Sequence, residues 1–251
     1  MKRFIKAVFL VSLFAINFGI LSSTVFAGDK LVLATTNWEP YVGEKMMDGG
    51  YVAVVVKEAF KRGGMDAEFK FHQWSRVVGL AKAGKVDGYF PEYYADSVKA
   101  YAAFSNPMPG GPLGFYKQKG ADINFNGLES LKGKKIGVVT GYVNTEEFDN
   151  ASFLTKDASK DDLTNLKKLV AGRIDLMVSD KFVGKYLAQT NMPDKVDSIE
   201  FMSPSLAELD LFVCVPNKSG KQSAILEAFN TGIKQMKEDG TLKKILADFG
   251  F

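Results

Sequence analysis

The stretch SRVVGLAKAGKVDGYF, Ser75 to Phe90, decides the fold. Val77, Val78, Leu80 and Ala81 recur at helical spacing, and Arg76 and Lys82 fall on the other side. Ser75 can cap the start of that helix and Gly84 its end. Val86 to Phe90 then reads as a strand. A near copy of this junction, AGRIDLMV, begins at Ala171. A helix, a glycine, a basic residue, an aliphatic residue and an aspartate lead into a strand in both places.

The flanking segments extend the pattern on each side. Lys30–Thr36 (KLVLATT) is a short β-branched strand, Gly50–Gly64 an amphipathic helix stopped by Gly63 and Gly64, and Ala67–Trp74 (AEFKFHQW) an alternating strand. The order is βαβαβ, which predicts a mostly parallel sheet. A second series runs through a strand at 134–141, a helix at 160–172 that starts near Asp161 or Asp162, a strand at 173–180, a helix at 181–190 and a strand at 209–216. Two amphipathic helices, 223–240 and 241–250, meet at Gly240. The Pro/Gly-rich segment Asn106–Phe115 (NPMPGGPLGF) lies between the two series. The prediction is an α/β protein of two lobes of related plan, with a cleft where the carboxyl ends of the strands face each other.

The first 27 residues read as a cleavable export signal. Lys2, Arg3 and Lys6 precede an apolar run of about 15 residues, short of the roughly 20 that span a bilayer, and small Val25 and Ala27 mark the cut. A retained anchor is the alternative. The chain holds 32 Lys+Arg and 29 Asp+Glu. Three of the basic residues belong to the signal, so the remainder is neutral, and its charge gives no reason to expect nucleic acid as a partner. Cys214 is the single cysteine and reads as buried; His72 is the single histidine and reads as a strand-end residue. One of each leaves no disulfide framework and no usual zinc site, and argues against a Ser-His or Cys-His triad. No metal and no cofactor are expected, and the protein is expected in the periplasm as a monomer.

The segments TTNWEPY (35–41), HQWSRVVGLAKAGKVDG (72–88), FSNP (104–107), LESLKGKKIGVVTG (128–141), LVAGRIDLMVSD (169–180) and EDGTLKKILADF (238–249) resemble, in order, the family 3 periplasmic solute-binding proteins, whose best-known members serve amino-acid ABC transporters. The resemblance implies the two-lobe type II periplasmic-binding-protein fold, each lobe a mostly parallel sheet flanked by helices. It implies a first lobe of residues 28–111 and 210–251, a second of 112–209, a two-strand hinge, and closure over a ligand.

The resemblance also implies ligand positions. The early stacking aromatic falls on Trp38, with Tyr41 beside it, and the second falls on Trp74. The aspartate that holds a ligand ammonium falls on Asp180, which can equally cap the next helix. The loop after the 134–141 strand offers Thr140 and Tyr142. Amino-acid binders of the family carry Thr-x-x-Arg before the FS pair, and the Arg clamps the ligand carboxylate with two hydrogen bonds. Here Ala95 and Val98 stand at those positions, and Pro91 and Tyr93 replace small hydroxyl residues. The clamp is missing. Arg76 is a possible substitute, against pairing on the helix surface. Glu92, Tyr93 and Tyr94 fill the altered segment.

The function these features imply is extracytoplasmic capture of a small polar ligand, amino-acid-like, amine-bearing or cationic, for delivery to a membrane ABC importer. One alternative is a ligand-sensing partner of a membrane signalling receptor. Another is a small-acid dehydratase of the same fold using Glu39, Glu92 and Asp180.

Overall fold

A computed structural model describes residues 30–251. The export signal read over residues 1–27 lies outside the described residues. The first series forms Leu31–Thr35 (β1), Tyr51–Arg62 (α1), Ala67–Phe71 (β2), Trp74–Ala83 (α2) and Gly88–Glu92 (β3). A short helix Asp96–Lys99 (α3) and a short strand Ala102–Phe104 (β4) lead into the long strand Met108–Gln118 (β5). The second series comprises Lys135–Val139 (β6), Glu146–Asn150 (α4), Thr155–Ser159 (β7), Asp162–Val170 (α5), Leu176–Asp180 (β8) and Lys181–Asn191 (α6). Ile199–Phe201 (β9) and the long strand Ala207–Pro216 (β10) follow, and the chain closes on Gln222–Glu238 (α7) and Thr241–Asp248 (α8).

The strands run in the order β2-β1-β3-β10-β5-β8-β6-β7, with β4 paired to β10 and β9 to β5. β1 lies parallel to β2 and β3, and β6 parallel to β7 and β8. Each parallel triplet is bordered by a long antiparallel strand. β10 pairs with β5 over Ala207–Leu211 and with β3 and β4 from Phe212 onward. β5 pairs with β10 up to Leu113 and with β8 from Leu113 onward. Register shifts between Leu209 and Leu211 and between Phe212 and Cys214 mark where β10 bends from one half to the other. The expected mostly parallel halves and the two crossing strands are therefore present.

The repeated junction does the same work twice. Gly84 and Gly172 both adopt φ 66°, where a side chain is strained. The amide after each reaches back five residues, Lys85 N–H to Leu80 O and Arg173 N–H to Lys168 O, both at 2.9 Å. The aspartate three residues after each glycine then fastens the start of the neighbouring strand. Asp87 Oδ2 accepts from Val32 N–H at 2.8 Å, and Asp175 Oδ2 from Lys135 N–H at 2.7 Å.

Two readings need correction. The helix after β2 begins at Trp74, not after Ser75; its cap residue is Gln73, extended at φ −62° and ψ 144°, with no side-chain capping bond. The strand ends at Phe71 because His72 N–H donates to Thr35 O at the end of β1, which exhausts the ladder. The alternation read as far as Trp74 thus stops three residues early. Tyr89 and Phe90 are both fully buried, as is Cys214.

Candidate functional site

The carboxyl ends of β1, β2, β3, β6, β7 and β8 converge on one region, and the loops leaving them carry its side chains. After β1 the chain reverses between Trp38 and Val42, where Trp38 N–H donates to Val42 O at 2.8 Å. That turn stacks the Trp38 and Tyr41 rings, centroids 4.7 Å apart. Trp74 opens α2, and its indole N–H donates to Gly141 O at 2.8 Å, joining the first half to the loop after β6. In that loop the Tyr142 ring meets Trp74 edge-on at 5.8 Å.

Glu92 closes β3 and is 3% exposed. Its Oε2 accepts from Tyr89 Oη at 3.1 Å and its Oε1 from Tyr93 N–H at 3.1 Å. It has no ion-pair partner among the described residues. Burial pushes its carboxyl up to about 8, against the pull of those two hydrogen bonds. A small cavity of about 20 Å³ lies against Glu92 and is walled by Trp38, Trp74, Tyr93 and Tyr142. A larger one of about 420 Å³ lies beside it, shares Thr36, Trp38, Trp74 and Tyr142 and adds Glu39, Asp161 and Asp162.

Asp180 sits beside this site and is fully engaged. Its Oδ1 caps α6, accepting from Phe182 N–H at 2.8 Å and Val183 N–H at 3.2 Å. Its Oδ2 accepts from Tyr41 Oη at 2.9 Å and Tyr93 Oη at 3.4 Å. Burial raises its carboxyl to about 6 even so. The Tyr41–Asp180 contact passes over β5 at Gly111, where a Cβ would stand 2.3 Å from Tyr41 Oη and 2.9 Å from Asp180 Oδ2. Only glycine leaves room for that bond.

Of the expected site residues, Trp38, Trp74, Glu92, Tyr93 and Tyr142 come together around the cavities. Tyr41 and Asp180 form a bonded pair behind them, outside either lining. Arg76, Tyr94 and Thr140 stand apart. Arg76 is exposed on α2, and Thr140 is exposed with its N–H bound to Ser159 O. Tyr94 is 49% exposed, packed on Phe104 and Phe212 and hydrogen-bonded to Asp96. Val98, at the clamp position, is buried in the apolar cluster with Trp74 and Tyr89. Neither Arg62, Arg76 nor Arg173 lines either cavity.

Asp162 and Thr36 were not picked out from the sequence as site residues. Asp162 is 4% exposed, lines the larger cavity and accepts from Ser179 Oγ at 2.8 Å; burial raises its carboxyl to about 6. The signal for it was the pair Asp161-Asp162. Asp161 caps α5 through Thr164 N–H, which leaves its neighbour free for another role.

Residues 31–250 match the family profile of the bacterial extracellular solute-binding proteins, family 3. The L-cystine-binding protein TcyJ of Escherichia coli (strain K12) is 24% identical over 233 residues, 90% of this chain and 84% of that protein. The histidine-binding periplasmic protein of the same strain is 26% identical over 205 residues, covering 78% and 76%. Among solved structures, a histidine kinase sensor domain with similarity to periplasmic binding proteins superposes with a TM-score of 0.77 at 18% identity, covering 88% of this chain and 96% of that one. Such likenesses establish the two-lobe periplasmic-binding-protein fold.

Proposed function

The chain belongs to the bacterial extracellular solute-binding proteins of family 3, and from that premise we propose that it is a periplasmic receptor for a small amine-bearing cation, which it passes to a membrane ABC permease. The single observation that carries the ligand class is the lining of the inner cavity. It holds aromatic faces and one buried carboxylate, and no basic side chain. Aromatic faces attract cations, and a carboxylate without a counter-charge gains most from one. In the empty site Glu92 is mostly protonated at neutral pH, and an ammonium that enters draws it into its ionised form, which an anionic ligand does not. The relatives named for cystine and histidine support an amino-acid-like size.

In this reading Trp38, Trp74, Tyr93 and Tyr142 hold the ligand and Glu92 supplies the charge. Tyr41 and Asp180 brace the site from behind. The lobes are residues 28–111 with 210–251 and residues 112–209, and β5 and β10 are the hinge between them. Among the described residues no helix is long and apolar enough to cross a membrane.

Thermal-shift and calorimetric panels of amines, amino acids and organic acids on the chain from residue 28 onward test the proposal. Amines are expected to bind, and at one hundred times Kd the stability gain is about 2.7 kcal/mol. Strong binding of dicarboxylates with no response to amines would overturn it.

A further inference from the structure

The two cavities differ in what they can accept. Thr36, Trp38, Trp74 and Tyr142 line both, so these residues lie between an inner and an outer chamber. The inner chamber has about 20 Å³ of free volume. A space of about 10–15 Å³ holds one water, and an ammonium group is of water size, whereas a carboxylate or guanidinium is larger. Glu92 is the only charged residue in that lining. The outer chamber, about 420 Å³, carries four carboxylates, Glu39, Glu44, Asp161 and Asp162, against Lys160 and the imidazole of His72. Lys160 Nζ stands 3.8 Å from Asp161 Oδ2, so it offsets one of the four. Nothing in either lining is placed to clamp a carboxylate as a guanidinium would.

We propose that the ligand is a linear α,ω-diamine or longer polyamine held along the aromatic residues between the chambers, one ammonium against Glu92 and the next among the outer carboxylates. The aromatic faces suit both methylene groups and a passing cation. This deepens the amine-receptor reading and rests on it. It also gives the missing carboxylate clamp a reason, since such a ligand has no carboxylate to hold.

Calorimetry with simple monoamines, α,ω-diamines of graded chain length, a linear triamine and free lysine tests it. Diamines are expected to bind about tenfold or more tightly than monoamines of equal length, one charge contact of about 1.4 kcal/mol, with an optimum chain length. Glu92→Gln is expected to weaken both classes. Glu39→Gln combined with Glu44→Gln, which removes two outer carboxylates that Lys160 does not offset, is expected to narrow the diamine-to-monoamine ratio. The melting temperature of each variant without ligand checks that it folds. Equal affinity for monoamines and diamines, or lysine binding more tightly than any diamine, overturns the two-charge proposal and leaves the amine-receptor reading standing. No binding by any amine overturns both.

Discussion

At the scale of single residues, Glu92 sets a measurable pH dependence. Its carboxyl ionises at about 4.5 when unfolded and about 8 when buried. The groups facing it, the hydroxyls of Tyr89, Tyr101 and Tyr142 and the thiol of Cys214, carry no charge over that range to compensate. The folded chain therefore binds the proton more tightly than the unfolded chain. Its stabilising contribution is complete below pH 4.5 and is lost as pH rises through about 8. Asp162 and Asp180 add the same trend between 3.8 and about 6. Glu92→Gln keeps the shape and cannot ionise. It is expected to flatten the upper part of the profile and to exceed the parent's stability above pH 8, by on the order of 3 kcal/mol. Urea unfolding across that range reads the effect; parallel profiles for parent and variant would rule out Glu92 as the source. The residue scale is also where the sequence was least legible. Asp180 was readable as both cap and ligand contact, and only the packing shows both its oxygens occupied by Phe182, Val183, Tyr41 and Tyr93. Tyr93 and Tyr94 are neighbours of identical chemistry, but the alternation of an extended segment turns one to the cavity and the other to Phe104.

Among the elements, the two glycine–aspartate junctions carry the clearest lesson. They were legible because each depends on local chemistry: a left-handed glycine, a reach-back of five residues and a side-chain acceptor three residues on. The short pieces α3, α4, β4, β7 and β9 were not read as elements: α3, β4 and β9 span only three or four residues, and α4 (EEFDN) and β7 (TKDAS) lack the repeated apolar residues that marked the other five-residue strands. β7 is polar at four of its five residues, and its parallel pairing with β6 makes it a strand. The junctions differ in setting, since Asp87 is half-buried and Asp175 exposed. Asp87→Ala leaves the Val32 amide with less access to water, so it is expected to cost about 1–3 kcal/mol. Asp175→Ala lets water replace the lost bond at Lys135 and is expected to cost about 0.5–1 kcal/mol. Chemical denaturation of the two variants side by side checks the ranking, and an equal or reversed order would refute the account.

For the whole molecule, hydrogen bonds run from one half to the other at the cavity. Trp74 to Gly141 joins the loops of the two halves, and both tryptophans of the chain lie at the cavity. Under the proposed closure the ligand-free chain parts at these bonds in solution, so ligand binding is expected to lower the radius of gyration in small-angle scattering and to change tryptophan fluorescence together. Trp74→Phe keeps an aromatic face but not the indole N–H, and is expected to weaken ligand binding about three- to tenfold. Scattering that is unchanged by a saturating ligand would refute closure. The path of β10 has a further consequence, for the order in which the chain folds. The parallel triplet β6, β7 and β8 finds its neighbour β5 directly upstream, so that half can assemble from one unbroken stretch of chain. The triplet β1, β2 and β3 meets its neighbour only in β10, more than a hundred residues downstream. The part made first must therefore wait for the part made last, its sheet edge open meanwhile to any other strand. Export in the unfolded state, as the proposed periplasmic role would require, would turn that delay into an asset: the emerging half could not finish folding before the far end arrived.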